Sequence, residues 1–212
     1  MRILVADDHA FARKGFRLFV SQIPGVTAVG EAASGVETLR RLRQDGPWQV
    51  LILDIDMPDR GGLDILRHVR ASHPDLRVLV LSGYPEGQYA VQMLRAGAHG
   101  YVRKSASPDE IRAAVEAVGS GHRHISPELA QLLADRVAGE HTEFPALHKT
   151  LNEREFQVFC KVAMGRDVPQ IARELCVSRK TVSTYRSKIM RKLAVQTQAQ
   201  LIAYAMKSGV VQ

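Results

Sequence analysis

The chain has 212 residues, of which 45% are hydrophobic, two are cysteines, and the net charge is +7. That length suits one large or two small domains, and no run approaches the ~18 apolar residues that span a bilayer. Cys160 and Cys176 have no Cys or His partner at zinc-ligand spacing, so both are expected as reduced thiols in or near a small core. The charge is uneven: residues 1–148 sum to −1 and residues 149–212 to +8. A basic C-terminal part points to a polyanionic partner. The chain opens directly in a strand pattern, so no signal peptide is expected. The expected location is cytoplasmic, with no membrane partner.

Residues 1–119 read as strand and helix in alternation, five times over. Ile3–Ala6 runs into Asp7 and Asp8, and Phe11, Phe16, Leu18 and Phe19 populate the helix that follows. Val26–Ala32 gives the second strand. Val36, Leu39 and Leu42 share one helix face. Val50–Leu53 ends on Asp54, before a Pro/Gly-rich loop from Met57 to Gly62. Leu63, Leu66 and Val69 start the next helical stripe. Val78–Leu81 ends on Ser82, a helix near Gln88–Arg95 stops at Gly97, and Gly100–Val102 reaches Lys104. Ser107 and Pro108 form an N-cap and a first-turn proline for the last helix of the series. Four of these runs, Ile3–Ala6, Val50–Leu53, Val78–Leu81 and Gly100–Val102, are continuously apolar, as in a parallel sheet covered on both faces. The expected fold is therefore a doubly wound five-stranded α/β sheet.

Residues 120–148 read as a linker. It includes a helix near 127–138 with Leu129, Leu132, Leu133 and Val137, and then an aperiodic tether over 139–149. Residues 149–212 read as all-α. Asn152 with Glu155, and Thr197 with Gln200, form capping-box pairs. Asp167 and Ser178 cap the two helices between them, and the last helix ends near Gly209. Ile171, Ala172 and Leu175, then a Cys176–Val177 turn, then Val182, Ile189 and Leu193 give helix–turn–helix spacing.

Two sites follow from this layout. In open α/β sheets ligands bind beyond the carboxyl ends of the strands, which gathers Asp7, Asp8, Asp54, Ser82 and Lys104. Asp54 can act as a nucleophile toward a phosphoryl group if charge repulsion is cancelled. A Mg²⁺ held by Asp8, Asp54 and Asp7, with the backbone carbonyl of Asp56, would cancel it. Lys104 would balance the phosphoryl charge and Ser82 would donate a hydrogen bond. Asp56 adds a further carboxylate that could influence phosphate lifetime or point into solvent. The second site is the basic helix after Ser178, suited to the DNA major groove. Ser183, Thr184 and Ser187 are placed for groove contacts. Arg179, Lys180, Arg186, Lys188, Arg191 and Lys192 are phosphate partners, one or more of which could read a guanine.

With Asp7-Asp8, Asp54, Met57-Pro58, Ser82, Tyr101 and Lys104 in this order, residues 1–119 resemble a two-component receiver domain of flavodoxin-like fold. Residues 149–212 resemble a LuxR-type DNA-binding domain through Leu151–Glu155, Ile171–Leu175, Val177–Val182 and Lys192-Leu193. Together they resemble a NarL/FixJ-type response regulator, with Val182–Tyr185 closest to the BvgA/EvgA subgroup. The resemblance implies phosphotransfer to Asp54 from a sensor histidine kinase or phosphotransfer protein. It implies a switch in which Ser82 and Tyr101 move together. It also implies a homodimer on DNA paired through the last helix, with Leu201, Ile202 and Ala205. The function expected is a transcription regulator that self-catalyses transfer to and hydrolysis from Asp54 without being a turnover enzyme. The alternative is a haloacid-dehalogenase-like phosphatase using Asp54 and Asp56. Many relatives have Gly where Cys176 stands, so a positive φ there would be mildly strained.

Overall fold

The computed structural model describes residues 1–57, 61–83, 88–138, 150–208 and 210. Pro58, the 139–149 tether, Gly209, and the side chains of Leu132 and Val137 lie outside the described residues. Five parallel strands form one sheet: β1 (Arg2–Ala6), β2 (Ala28–Ala32), β3 (Val50–Asp54), β4 (Arg77–Ser82) and β5 (Gly100–Arg103). Their order is β2-β1-β3-β4-β5. The continuous apolar runs sit inside: β3 is buried at all five positions. Parallel neighbours must be joined by crossovers, and these are α1 (Ala10–Ser21), α2 (Gly35–Gln44), α3 (Gly62–Ser72) and α4 (Gln88–Arg95), with α5 (Pro108–Gly119) after β5.

Strand side chains alternate between the two faces. Ile3, Val5, Val50, Ile52, Leu79, Leu81 and Val102 form one cluster with Val20, Ile23, Ile111, Ala114, Val115 and Val118 from α1, α5 and the turn after α1. The intervening Leu4, Leu51, Leu53, Val78, Val80 and Tyr101 are equally buried. They face the side to which α2, α3 and α4 bring Leu39, Leu42, Ile65, Leu66, Val69 and Val91. Ser107 caps α5 as expected, its hydroxyl accepting from the Glu110 amide.

Three details differ from the sequence pattern. β2 starts at Ala28, because the Val26 amide donates to Ile23 and the Thr27 amide to Met1. Val36 is exposed: the buried stripe of α2 runs through Gly35, Thr38, Leu39 and Leu42. Phe11 and Leu18 are also exposed, at 94% and 62%, since α1 turns Phe16, Phe19 and Val20 to the sheet.

The chain divides into two compact units, Met1–Gln131 and Leu132–Gln212, and the division falls within α6 (Pro127–Ala138). The second unit holds α7 (Glu153–Ala163), α8 (Val168–Glu174), α9 (Arg179–Lys192) and α10 (Gln198–Lys207). Reciprocal capping boxes start α7 (Asn152 with Glu155), α8 (Asp167 with Gln170) and α10 (Thr197 with Gln200). The Ser178 hydroxyl caps α9 by accepting from the Thr181 amide. Val158, Phe159, Val162, Ile171, Leu175, Val182, Ile189 and Leu193 are buried between the helices. The ring of Phe159 meets Phe156 and Tyr204 at centroid distances of 6.2 and 6.1 Å.

Gly62 closes the loop after β3. Its amide donates to the Ile55 carbonyl at 3.2 Å, and a Cβ there would fall 2.6 Å from the Ile55 Cα. Backbone cannot yield as a side chain can, so Gly62→Ala is expected to cost about 1–3 kcal/mol. The check is a lower urea midpoint at unchanged slope.

Candidate functional site

The strand order reverses between β1 and β3, and the crevice at such a switch point lies beyond the strand carboxyl ends. Asp7 and Asp8 follow β1 and Asp54 ends β3. Lys104 follows β5, with its amide donating to the Ser82 carbonyl at 2.7 Å. Its ammonium lies 2.7 Å from Asp7 Oδ2 and 2.7 Å from Asp54 Oδ2. Asp7 and Asp54 are buried, while Lys104 and Asp8 keep partial exposure. The other oxygens are held by backbone: Asp7 Oδ1 accepts from the His9 amide at 2.8 Å, and Asp54 Oδ1 from the Asp56 amide at 3.2 Å. Ser82 and Tyr101 are fully buried on β4 and β5. The register pairs Asp54 with Leu81 and Tyr101 with Val80, so both side chains stand on the strands beside the acidic cluster.

Burial dominates the electrostatics. It pushes the Asp54 carboxyl up to about 6; Lys104 pulls against it, and the negative charge of Asp7 adds to it. Burial likewise raises Asp8, opposed by His9 and reinforced by Asp7. For Lys104, burial opposes the charge, but Asp54 and Asp7 outweigh it and raise the ammonium above its ordinary value. Three carboxylates thus face one ammonium. Asp7, Asp8, His9 and Asp54 each offer a ligand atom, all within 4.8 Å of one another. Asp8 Oδ1 is buried and accepts no hydrogen bond, although His9 Nδ1 lies 2.8 Å from it. A small oxygen-seeking divalent cation fits this donor set.

Sequence reasoning brought together Asp7, Asp8, Asp54 and Lys104, and it left out two neighbours. His9 sits at the N-cap position of α1 beside Asp8. Arg13 was not singled out, yet its guanidinium donates to the Asp7 carbonyl at 2.6 Å and pairs with Glu31. Only its place on the first turns of α1 hinted at this.

In the second unit α9 turns Val182 and Ile189 inward. Arg179, Lys180, Ser183, Thr184, Ser187, Lys188 and Arg191 are exposed, and Arg186 is half-buried. The Thr184 hydroxyl donates to the Lys180 carbonyl and the Ser187 hydroxyl to the Ser183 carbonyl. Lys192 is placed differently. Its ammonium lies 2.6 Å from Glu155 Oε2 and donates to the Thr150 carbonyl at 2.9 Å. Burial works against the charge on Glu155, but Lys192 and the Asn152 amide hold its carboxyl below the usual range. Cys176 adopts φ 51°, the left-handed conformation that glycine tolerates best. It is exposed rather than in the core, where Cys160 lies. On α10, Leu201 and Ala205 are fully buried within the unit, while Ile202 is half-buried and Met206 exposed. Leu201 and Ala205 therefore close the core of their own unit.

Residues 3–116 match the response regulator receiver domain, and residues 149–205 match the bacterial regulatory proteins of the luxR family. The chain is 36% identical over 211 residues to the response regulator GacA of Pseudomonas protegens, covering 100% of this chain and 98% of that protein. It is 33% identical to UvrY of Escherichia coli K12, covering 99% and 95%. Among solved structures, RcsB of Salmonella enterica serovar Typhimurium, bound to promoter rprA with the phosphomimetic BeF3⁻, superposes with a TM-score of 0.64 at 28% identity. That match covers 96% of this chain and 97% of RcsB. A receiver sheet with an acidic crevice, followed by a helix–turn–helix unit, defines a DNA-binding response regulator. The chain belongs to the NarL/FixJ family of two-component response regulators. The phosphatase alternative built on Asp54 and Asp56 finds no support among these matches. The BvgA/EvgA likeness rests on Val182–Tyr185 alone. Among the described residues no helix is long and apolar enough to cross a membrane.

Lys104 offsets two buried carboxylates, so Lys104→Met should destabilise the protein by about 3 kcal/mol at pH 7.5. A carboxyl whose folded value, about 6, exceeds its ordinary 3.8 takes up a proton on folding, so its penalty grows as pH rises through that window. Removing the ammonium lifts that value further. The deficit of Lys104→Met should therefore shrink between pH 7.5 and pH 5, measured by urea unfolding at both.

Proposed function

We infer that Asp54 is the phosphoacceptor of a two-component pathway and that its phosphorylation controls DNA binding by the helical unit. The observation that carries this is the Lys104 ammonium 2.7 Å from both Asp7 and Asp54. Held that way, a lysine cannot neutralise the third carboxylate, and the crevice keeps an excess of negative charge. Asp7, Asp8 and Asp54, with the Asp56 carbonyl, would hold a Mg²⁺, which would supply the charge that lets an anionic phosphoryl donor approach. Asp54 attacks, a histidine kinase or phosphotransfer protein loses the phosphoryl group, and an aspartyl phosphate forms. Lys104 then binds the phosphoryl oxygens, and the Ser82 hydroxyl donates to one of them. Water later hydrolyses the acyl phosphate on the same residue, so the receiver resets itself. Asp56 influences that lifetime through its charge.

Ser82 and Tyr101 shift together when the phosphoryl group arrives, which biases the receiver toward its active population. We assign residues 1–119 to the receiver, 120–148 to the linker and 149–212 to the DNA-binding domain. Arg179, Lys180, Arg186, Lys188 and Arg191 meet phosphates, and Ser183, Thr184 and Ser187 face the groove. RcsB has been solved as two dimers bound to two parallel DNAs, which supports DNA binding by a homodimer here. A dimer contact on α10 draws on Ile202, since Leu201 and Ala205 are occupied in the core. The working location is the cytoplasm, where the kinase output and the DNA meet.

Acetyl phosphate with Mg²⁺ should add one phosphoryl group to the wild-type chain and none to Asp54→Asn, read by intact-mass spectrometry. Chelating the metal should prevent the addition. The phosphodonor should raise affinity for a duplex recovered from a random pool by about tenfold, with no change for Asp54→Asn. An unchanged wild-type affinity would refute the coupling. Mg²⁺ alone should raise the melting temperature, and less so for Asp8→Asn.

A further inference from the structure

Two cations of α9, Arg186 and Lys192, are only partly exposed, and Lys192 is tied to α7. Lys192 closes the helix, and its ammonium spends two of its three donors on Glu155 and on the Thr150 carbonyl. Glu155 is 3% exposed, and the same carboxylate oxygen accepts from the Asn152 amide at 2.9 Å. For Lys192 to meet a DNA phosphate, it would have to abandon a buried carboxylate, and a buried charge left without its partner is costly. Arg179, Lys180, Lys188 and Arg191 are exposed, and the charge of Lys188 acts on Glu155 less strongly than that of Lys192.

The pair joins the last residue of α9 to the first turn of α7. Each charge suits its place: a cation at a helix C-terminus, an anion near a helix N-terminus. The other end of α9 is fixed to α8 by the Cys176–Val177 turn, where the Val177 amide donates to the Ala172 carbonyl. Between these two anchors lie 14 residues, roughly 21 Å of helix. A tilt of about 10° about one anchor moves the far end by roughly 3–4 Å, more than a hydrogen bond to a base edge tolerates.

We propose that Glu155 and Lys192 are positioning residues for DNA binding: their ion pair sets the angle at which α9 presents its exposed face, and Lys192 itself contacts no phosphate. This rests on α9 being the helix that enters the groove.

The test uses the full chain and a duplex that the wild type recovers from a random pool. Glu155→Gln keeps a side chain able to accept the Asn152 amide but removes the charge that holds Lys192. On charge alone, deleting a carboxylate strengthens binding to a polyanion. Positioning requires the opposite sign: Glu155→Gln should bind about tenfold more weakly. Lys192→Met should also weaken binding while leaving the slope of log affinity against log salt unchanged. One lost phosphate contact would make that slope shallower by about 0.9.

Acetylation footprinting of the wild type needs no variant and so survives one that fails to fold. DNA should slow acetylation of Lys180 and Lys188 and leave the rate at Lys192 unaltered. Protection of Lys192 to the same degree, a shallower salt slope for Lys192→Met, or Glu155→Gln binding as tightly as wild type would each overturn the proposal. A wild type that recovers no duplex sinks the DNA-binding reading instead.

Discussion

The receiver unit is organised around one expensive act, the burial of two carboxylates beyond the ends of parallel strands. Asp7 and Asp54 lie in a crevice where water is scarce and like charges face each other. A single ammonium reaching both makes this tolerable. That bridge requires β1, β3 and β5 to end at the right depth, which the unbroken register from β1 through β5 provides. Loops then need only short reach: the oxygens not taken by Lys104 are held by the amides of His9 and Asp56, each two residues beyond its carboxylate.

The two units handle buried carboxylates in opposite ways. In the helical unit one carboxylate meets one ammonium, and a capping amide takes up more of its demand. That arrangement is balanced and serves the architecture. In the receiver three carboxylates meet one ammonium, and an Asp8 oxygen is left without a hydrogen bond. That arrangement is unbalanced, and imbalance is what a ligand can relieve. The same pairing chemistry thus gives a strut in one place and a receptor in the other.

The sheet was legible because four of its five strands are apolar runs that lead into a polar residue, β2 with Glu31 inside it being the exception, and the acidic cluster because those ends fall at one edge of a parallel sheet. Caps were legible as well, since Ser107, Asn152, Asp167, Ser178 and Thr197 each precede a partner at fixed spacing. What escaped was orientation. Val36, Phe11 and Leu18 are as apolar as their neighbours, and only the sheet's position decides which helix face is covered. Lys192 is chemically identical to Lys188, but Glu155 lies 37 residues away in sequence, so local periodicity could not single it out. The same holds for Leu201 and Ala205, whose burial depends on where α7 runs.

The hydroxyls on the exposed face of α9 bear on base preference if that helix enters the groove as proposed. Thr184 and Ser187 have already given their protons to carbonyls one turn back in the same helix. Each oxygen therefore meets its surroundings with lone pairs alone. In the major groove the edges that can answer a lone pair are the exocyclic amines of adenine and cytosine. With α9 in the groove as proposed, reading guanine or thymine through these two residues would demand a rotamer change first, so the resting helix would favour amino-bearing bases.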